Sequence, residues 1–428
     1  MTLEETPAMS EPNATNTPAS HPHQNVVILG GGIGGLAAAI SLQRRSDIHV
    51  TLVDPNAVHV WKPLFDELAT GTMPFKGNLF PFDELARRFN FSFVQDKPAS
   101  VDRSAKSVTL EGGITLPYDA LIVSMGARSN DFGTPGAQDN CLFLDKVDQA
   151  RVLYDHFWNG MAKAHATSEP LKVAVVGGGP TGVELSGNFV EAIDRTKGLG
   201  KKGREQLFRA SLLEASPRIL NRMPENVSVS MTREMSKIGY QVLDHTAVAE
   251  VTDKGFKLKS GQFVEADVRV WAAGVKAVDG TAIFAELERN RMGQLVVGPT
   301  LQTTQDPAIF ALGDCSAIAE KPLPSTAQVA NQQGFYAGYA VQDFLAGRKP
   351  GNFVFNNRGV IVMLGDFDAW YVAPSDKDFG GTGLCGKIVG MAHRSLYYKY
   401  LASLFGPVSA AERLIGHLLH PEPPHSPF

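Results

Sequence analysis

Two segments of the chain share one hydrophobic pattern: an apolar, β-branched run, then closely spaced glycines, then apolar positions at helical spacing. The apolar runs are 26–29 and 173–176. The glycines are Gly30, Gly32 and Gly35 in the first segment and Gly177, Gly179 and Gly182 in the second. A strand, a tight glycine turn and a helix start predict a Rossmann unit that binds a pyrophosphate. The chain is therefore predicted to be an α/β protein with two Rossmann-like dinucleotide-binding domains.

Each predicted unit continues into a second strand that ends in a carboxylate. Asp54 ends this strand in the first unit, and Glu214 ends it in the second. A carboxylate at this position accepts hydrogen bonds from ribose hydroxyls, although a strand-end aspartate can also simply cap a turn. Glu214 would in addition repel a 2′-phosphate, so it favours NADH over NADPH, while Arg218 and Arg222 are close enough in sequence to weaken that preference.

Three further strand patterns end in glycine. They are 118–123, 268–272 and 308–312, which run to Gly126, Gly274 and Gly313, the last followed by Asp314. Glycine lets the backbone approach a bound molecule closely, and an aspartate beside it can hydrogen-bond ribityl or phosphate-bridging groups. These strand ends are therefore candidate cofactor-binding positions.

Composition fits a folded protein of two to three domains. The chain has 428 residues, 43% of them hydrophobic and 20% charged, and a net charge of −4 that gives no general attraction to nucleic acid. No metal-ligand set, hydrolytic triad or apolar run of roughly 20 residues that could span a bilayer is visible. The cysteines are far apart, which indicates a reducing compartment and does not support dithiol chemistry. They are Cys141, Cys315 and Cys385.

The two ends of the chain differ from the body. Residues 1–24 are polar and lack Lys and Arg, which predicts a disordered tail rather than a signal or transit peptide. Apolar positions recur at helical spacing between 389 and 405, and again after Gly406 and Pro407, which predicts two amphipathic helices. The apolar stripe of the first helix consists of Val389, Leu396, Tyr397, Tyr400, Leu401 and Leu404.

The predicted C-terminal helices carry a local positive balance. They contain one acidic residue, Glu412, and four basic residues, which are Lys387, Arg394, Lys399 and Arg413. Amphipathic helices with tyrosines and positive charge suit the headgroup region of an anionic bilayer, so we expect contact with a membrane surface. The alternative is that the stripe packs on the body of the protein or on a second subunit.

Together the motifs resemble the two-dinucleotide-binding-domain flavoprotein superfamily and, within it, the type II, non-proton-pumping NADH:quinone oxidoreductases. Three stretches carry the narrower resemblance, which extends from about residue 25 to residue 375. They are 177–184, which ends in Glu184; Gly313-Asp314-Cys315; and 327–333, which reads Ala-Gln-Val-Ala-Asn-Gln-Gln. The last of these stretches is the most specific.

The resemblance implies FAD in the first unit and NADH in the second, with hydride transfer to the flavin and delivery of two electrons to a quinone. It places Gln328 and Gln332, which share a helix face, where flavin and quinone meet. It places Glu184 near the nicotinamide, to orient the carboxamide or assist proton movement, although this glutamate can also simply complement the helix dipole. It further implies a peripheral protein on the cytoplasmic face of the cell membrane, with a homodimer left open.

The predicted domain order follows from the motifs and the resemblance. Residues 25–150 and 296–378 are assigned to an FAD-binding domain, 151–295 to an NAD-binding domain inserted in it, and 379–428 to membrane-associating helices. Two alternative functions remain. One is a soluble NADH-dependent flavin reductase that passes electrons to a ferredoxin-like or rubredoxin-like protein, and the other is a dithiol flavoenzyme, which needs two cysteines at the flavin.

Overall fold

The computed structural model describes residues 23–43 and 45–419. The tail predicted for 1–24 lies outside the described residues except for His23 and Gln24, and Gln24 begins the first strand. Over the described ranges, parallel strands alternate with helices, which confirms the predicted α/β class.

The first fingerprint belongs to a five-stranded parallel sheet. In spatial order its strands are Ile309–Ala311, Ala120–Val123, Gln24–Leu29, Ile48–Asp54 and Ser92–Gln95. The central strand is buried from Val26 to Leu29 because both faces of the sheet are covered, as its unbroken apolar run predicts. Helix Ile33–Leu42 follows the glycine turn and packs against helix Ala327–Leu345.

The second fingerprint belongs to a four-stranded parallel sheet. In spatial order its strands are Tyr240–Leu243, Phe208–Leu213, Leu171–Val176 and Val268–Trp271. Helix Pro180–Arg195 begins directly after the glycine turn, with proline at its first position, where no N–H partner is needed. Helix Val147–Thr167 packs on the same sheet.

The chain passes from the first sheet to the second and then returns. Directly after Gly126 and Gly274, the strands Ala127–Ser129 and Val275–Ala277 pair antiparallel and connect the two units. The strand Ile309–Ala311 then joins the first sheet. The second sheet is therefore inserted within the sequence of the first, while the limits of the domains stay predictions.

Smaller elements complete the described part of the chain. The other helices before the C-terminal pair are Phe65–Thr70, Phe82–Phe89, Ala137–Asn140, Gly200–Leu207 and Glu225–Lys237, with 3₁₀ turns at Lys62–Leu64, Asp279–Phe284 and Gly313–Cys315. Small sheets are formed by Val58–His59 with Phe80–Pro81; by Pro98–Asp102, Ser107–Leu110 and Thr115–Pro117; by Val248–Thr252, Gly255–Leu258 and Phe263–Glu265; by Leu295–Val297 with Ser316–Ile318; and by Val360–Leu364, Asp368–Val372 and Asp378–Gly381.

The two C-terminal helices are Gly383–Phe405 and Pro407–Leu419. The stripe that was expected to contact a membrane packs inward instead, and all its members are buried except Leu396, which is 48% exposed. Tyr400, for example, packs on Trp61 with the ring centroids 4.2 Å apart and the ring planes tilted by 34°. The expectation for this stripe was wrong because its aromatic rings bury their surface against other rings of the body, which was the alternative interpretation.

The opposite side of the first C-terminal helix is apolar and open to solvent. We name this side the exposed stripe; it consists of Leu384 (74% exposed), Ile388 (44%) and Met391 (61%). Two of the basic residues expected to face a membrane are engaged by the body, since Arg394 pairs with Asp366 and Arg413 donates to the Gly77 carbonyl. Over residues 23–43 and 45–419, no helix has the length and apolar character needed to cross a bilayer.

Candidate functional site

A cavity of about 2330 Å³ lies between the two units, beside the turns that follow their central strands. Parallel sheets bind ligands at the carboxyl ends of their strands, where such turns converge. Typical small-molecule pockets measure about 300–1,000 Å³, so this cavity has room for two dinucleotides and an acceptor. The predicted site residues that line it are Gly30, Gly32, Asp54, Gly126, Gly177, Gly179, Glu184, Glu214, Gly274, Gly313, Asp314, Gln328 and Gln332.

The glycines of the two fingerprint turns meet three different requirements. The first glycine of each turn has a positive φ, +98° at Gly30 and +112° at Gly177. The second glycine of each turn faces open space, because a Cβ there would meet no atom within 4 Å. The third, Gly35 or Gly182, lies outside the cavity lining, and a Cβ on it would lie 1.9 Å from the carbonyl oxygen of the first glycine. This is the geometry that a phosphate-binding turn requires.

The strand-end carboxylates hold the two turns in the same way. Asp54 Oδ2 accepts a hydrogen bond from Gly31 N–H over 2.7 Å, and Glu214 Oε2 accepts one from Gly178 N–H over 2.6 Å. The other oxygen of each accepts from the backbone N–H two residues further along. Asp54 therefore does cap a turn, and it holds the fingerprint at the same time; burial raises its pKa. Both carboxylates line the cavity and keep acceptor capacity for ribose hydroxyls.

The two arginines near Glu214 have different surroundings. Arg218 donates to three backbone carbonyls of the segment 220–223. Arg222 is exposed and lines the cavity. Arg222 is therefore the arginine that can weaken the preference of Glu214 for NADH.

The last predicted strand end brings Gly313 and Asp314 to the cavity. Gly313 has a φ of +68°, and its N–H donates to Gln333 Oε1 over 2.7 Å. Burial raises the pKa of Asp314, and the nearby Lys62 opposes that rise. Sequence reasoning did not single out Gln333 as a site residue, although its place at the end of the 327–333 motif was an available signal.

Gln328 and Gln332 both line the cavity, and their amides bind the backbone of one segment, the 356–359 loop. Gln328 accepts a hydrogen bond from an N–H of this loop over 2.8 Å and donates one to a carbonyl over 3.2 Å. Gln332 accepts one and donates one over 3.0 Å. The shared face expected from their spacing is thus used to hold the loop as a wall of the cavity.

Glu184 lies near the start of the second fingerprint helix and lines the cavity. Its Oε1 accepts a hydrogen bond from Met363 N–H over 3.1 Å. Burial raises the pKa of Glu184 well above its usual range, and the nearby Asp66 and Glu67 raise it further. The raised pKa keeps the proton on Glu184 to a higher pH than on an ordinary glutamate, and a protonated carboxyl can act as a proton donor.

Sequence reasoning missed three other carboxyls on the two helices that begin at Phe65 and Pro180. They belong to Asp66, Glu67 and Glu191, and burial is the main cause that raises the pKa of each, that of Glu191 to about 7. Glu191 also pairs with Arg195 over 2.6 Å. The seven-residue spacing between Glu184 and Glu191 was the available signal, because it places both on one face of the helix.

The three cysteines, all within the described part of the chain, do not line the cavity. Burial raises the pKa of Cys141 to about 12 and that of Cys315 to about 11, so both are thiols rather than reactive thiolates. Cys385 is exposed on the first C-terminal helix. In the same described ranges, no group of three or more His, Cys, Asp or Glu side chains is placed to hold a metal ion.

Known proteins are similar to this chain over most of its length. Residues 24–334 match the pyridine nucleotide-disulphide oxidoreductase family. The chain is 35% identical over 421 residues to the type II NADH:quinone oxidoreductase of Haemophilus influenzae, covering 90% of this chain and 94% of that relative. It is 30% identical over 361 residues to the type II NADH:quinone oxidoreductase of Staphylococcus aureus, covering 81% of this chain and 88% of that relative.

A solved structure has the same fold. It is NDH2 from Plasmodium falciparum in complex with NADH, which superposes with a TM-score of 0.81 over 92% of this chain and 98% of its own. The two sequences are 19% identical, so the match supports the architecture alone.

Proposed function

This chain belongs to the type II NADH:quinone oxidoreductases, and on that basis we propose that it oxidises NADH and passes two electrons through FAD to a quinone, without pumping protons. The overall reaction is NADH + H⁺ + quinone → NAD⁺ + quinol. The observation that carries the proposal is the cavity that joins both fingerprint turns to Gln328 and Gln332. Donor, cofactor and acceptor sites thereby share one space.

The first fingerprint and the strand ends beside it fit FAD. The open space at Gly32 and the helix start behind it suit a pyrophosphate, and Asp54 suits the adenosine ribose. Gly126, Gly313 and Asp314 would hold the ribityl chain and the flavin. When bound, FAD supplies the acceptor of the hydride and the donor of electrons to the quinone.

The second fingerprint fits NADH. Gly177 and Gly179 would admit its pyrophosphate, Gly274 would let the backbone approach it, and Glu214 would accept hydrogen bonds from the adenosine ribose. The negative charge of Glu214 would disfavour the 2′-phosphate of NADPH.

These cofactor assignments correspond to three stretches of the chain. The FAD-binding domain would comprise 25–150 and 296–378, and the NAD-binding domain 151–295.

The chain's own side chains have two further tasks in the reaction. Glu184, as a neutral acid at the cavity wall, would deliver a proton to the reduced quinone. Gln328 and Gln332 would form the quinone site with the 356–359 loop, whose position they hold.

The membrane contact is assigned to the exposed stripe of the first C-terminal helix. Apolar side chains next to the basic Lys387 suit the headgroup region of an anionic bilayer. The protein would lie on the cytoplasmic face of the cell membrane, where its three free cysteines stay reduced. A second copy of the chain is the competing occupant of the stripe.

One assay of the purified protein tests the function. Its absorption spectrum reports bound flavin, anaerobic addition of NADH reports flavin reduction, and turnover is compared with a short-chain quinone, a ferredoxin and a disulfide. We expect a yellow protein that NADH bleaches and that reduces the quinone in preference to the other acceptors. A protein that stays colourless after reconstitution with FAD, or that prefers ferredoxin, would contradict the proposal.

A variant without cysteines serves as the control for dithiol chemistry. Cys141→Ala, Cys315→Ala and Cys385→Ser are combined, and quinone turnover per bound flavin is expected to stay unchanged. Loss of turnover with flavin still bound would favour the dithiol alternative.

A further inference from the structure

The Gly31 carbonyl and the Gly32 N–H belong to one peptide group in the first fingerprint turn. Because a peptide bond is planar and trans, this N–H points opposite to the carbonyl. Gly32 N–H has no hydrogen-bond partner among the described residues, and a Cβ on Gly32 would meet no atom within 4 Å. Gly32 lines the cavity, so this N–H is available to a bound molecule, and whatever holds the Gly31 carbonyl sets the direction of the N–H.

The imidazole of His59 holds the Gly31 carbonyl. Its Nδ1 lies 2.8 Å from the carbonyl oxygen, and the side chain is buried. Because a carbonyl oxygen only accepts hydrogen bonds, Nδ1 carries the proton, and Nε2 of the neutral ring is an acceptor. Burial lowers the pKa of His59 to about 4, which agrees with a neutral ring.

The second nitrogen of His59 is occupied by Tyr400, a residue of the first C-terminal helix. The Tyr400 hydroxyl donates to Nε2. Burial raises the pKa of Tyr400 far above its usual range, so the hydroxyl keeps its proton and stays a donor. Hydrogen bonds thus run without a break from the C-terminal helix, through His59, to the peptide that faces the cavity.

The second fingerprint turn holds the equivalent peptide with a backbone N–H and not with a side chain. Its Gly178 carbonyl accepts a hydrogen bond from Leu220 N–H over 2.7 Å. In both turns the N–H of the same glycine, Gly31 or Gly178, is bound by the strand-end carboxylate. The two turns therefore differ in one respect: the first relies on a side chain that a distant helix orients.

We propose that His59 and Tyr400 are positioning residues for FAD, which hold the Gly31–Gly32 peptide so that the Gly32 N–H faces the pyrophosphate. This inference rests on the proposed assignment of FAD to the first unit. It follows that docking of the C-terminal helix and tight FAD binding are linked equilibria, each of which favours the other. Detachment of the helix removes the Tyr400 hydroxyl from His59 and thereby weakens FAD binding.

Variants of the two residues test this linkage. His59→Leu removes the donor to the Gly31 carbonyl, so the Gly32 N–H is no longer held towards the pyrophosphate. We expect the dissociation constant of FAD to rise by roughly tenfold, the effect of losing one hydrogen bond to a charged group. His59→Asn places an amide N–H near the position of Nδ1 and should restore most of the affinity. Tyr400→Phe keeps the ring and removes only the hydroxyl, with a smaller expected loss of about threefold.

Two controls separate positioning from general damage. Ser395→Ala removes an exposed hydroxyl of the same helix that bonds the Ala392 carbonyl of that helix and not the body, and FAD affinity should stay unchanged. NAD⁺ affinity should stay unchanged in all variants, because the second turn does not use His59. FAD dissociation is followed by flavin fluorescence in the full-length protein, and NAD⁺ binding by calorimetry.

The possible outcomes are distinct. Wild-type FAD affinity in both His59→Leu and Tyr400→Phe would overturn the inference, as would an equal loss of NAD⁺ affinity. If His59→Leu does not fold, Tyr400→Phe decides alone. Wild-type protein that binds no FAD would instead refute the proposed function.

Discussion

The carboxylate of Glu184 accepts a hydrogen bond from Met363 N–H over 3.1 Å, which joins the second fingerprint helix to the hairpin that precedes the C-terminal helices. Burial and nearby carboxyls raise the pKa of Glu184, so its proton is available at the cavity wall. Glu184→Gln keeps the shape and removes the acid. We expect quinone turnover to fall by about 10²-fold, while anaerobic reduction of the flavin by NADH changes little.

The pH profile distinguishes a proton donor from a structural glutamate. Wild-type turnover should decline as rising pH removes the proton from Glu184, whereas turnover of Glu184→Gln should be low and independent of pH in that range. Glu169→Gln, an exposed glutamate outside the cavity lining, is the matched control. Equal losses in the flavin and quinone half-reactions would show that Glu184 acts only through the fold.

Glu214→Gln should narrow the preference for NADH over NADPH. The amide oxygen can still accept a hydrogen bond, but the negative charge that repels a 2′-phosphate is gone, and Arg222 lies in the same cavity to attract it. We expect the ratio of kcat/KM values for the two coenzymes to fall by roughly tenfold, as for the loss of one charge interaction. Arg222→Gln in the same background should restore part of the ratio, and an unchanged ratio in Glu214→Gln would contradict the assignment.

Gln332→Leu should impair the quinone step selectively. The substitution removes the two hydrogen bonds, each 3.0 Å long, that hold the 356–359 loop at Gln332. We expect a higher KM for a short-chain quinone and an unchanged rate of anaerobic flavin reduction, because the fingerprint turns are not touched. Gln206→Leu, at an exposed position on helix Gly200–Leu207 and outside the cavity lining, is the control. Equal losses in both half-reactions would count against a quinone site at this loop.

Two charges in the exposed stripe should release the protein from membranes. Leu384→Glu with Met391→Glu replaces apolar surface by carboxylates, and we expect binding to phosphatidylglycerol-containing vesicles to weaken by at least roughly tenfold. Val229→Glu, at an exposed apolar position on another helix, should bind like the wild type. If vesicle binding is unchanged and the double variant sediments as a smaller species than the wild type, the stripe is a dimer interface instead.

His59 should make the protein less stable in mild acid. Its pKa is about 4 in the folded protein against an ordinary value of 6.5, so below pH 6.5 the unfolded chain binds a proton that the folded protein does not. The free energy of unfolding therefore falls as the pH drops from 6.5 towards 4, by about 3 kcal/mol in total from this group.

Comparison with His59→Asn isolates this contribution. Buried carboxyls such as Glu191, whose pKa is raised to about 7, act in the opposite direction. They hold a proton in the folded protein that the unfolded chain has lost, so their contribution to the free energy of unfolding falls as the pH rises. Their effect is common to both proteins and cancels in the difference. Denaturant unfolding at several pH values should give a smaller acid loss for the variant, and parallel curves would show that His59 is not buried in the neutral form.

Local sequence patterns were sufficient for the fold class and for thirteen residues of the cavity lining. The conformation of Gly30 and the close packing at Gly35 are requirements of a single turn, so a strand, three glycines and a helix pattern identify it without knowledge of the rest of the molecule. The positions of Asp54 and Glu214 follow from the ends of the neighbouring strands.

The partners of these local elements could not be inferred in the same way. Helical spacing correctly grouped Tyr400 with the other apolar residues of its helix, but it could not tell whether that face meets lipid or protein, and the face proved to be buried. Similarly, the shared face of Gln328 and Gln332 gave no indication that their amides bind a loop about thirty residues later.

The amino-acid sequence alone determined the two nucleotide-binding units, because glycine turns and strand ends depend on residues within a few positions of one another. Only the tertiary structure decided which groups complete those units, since His59 meets Gly31 from 28 residues away and Tyr400 meets His59 from 341. The physical reason is that a periodic pattern specifies which side chains share a face, whereas the partner of that face is set by the packing of the whole chain.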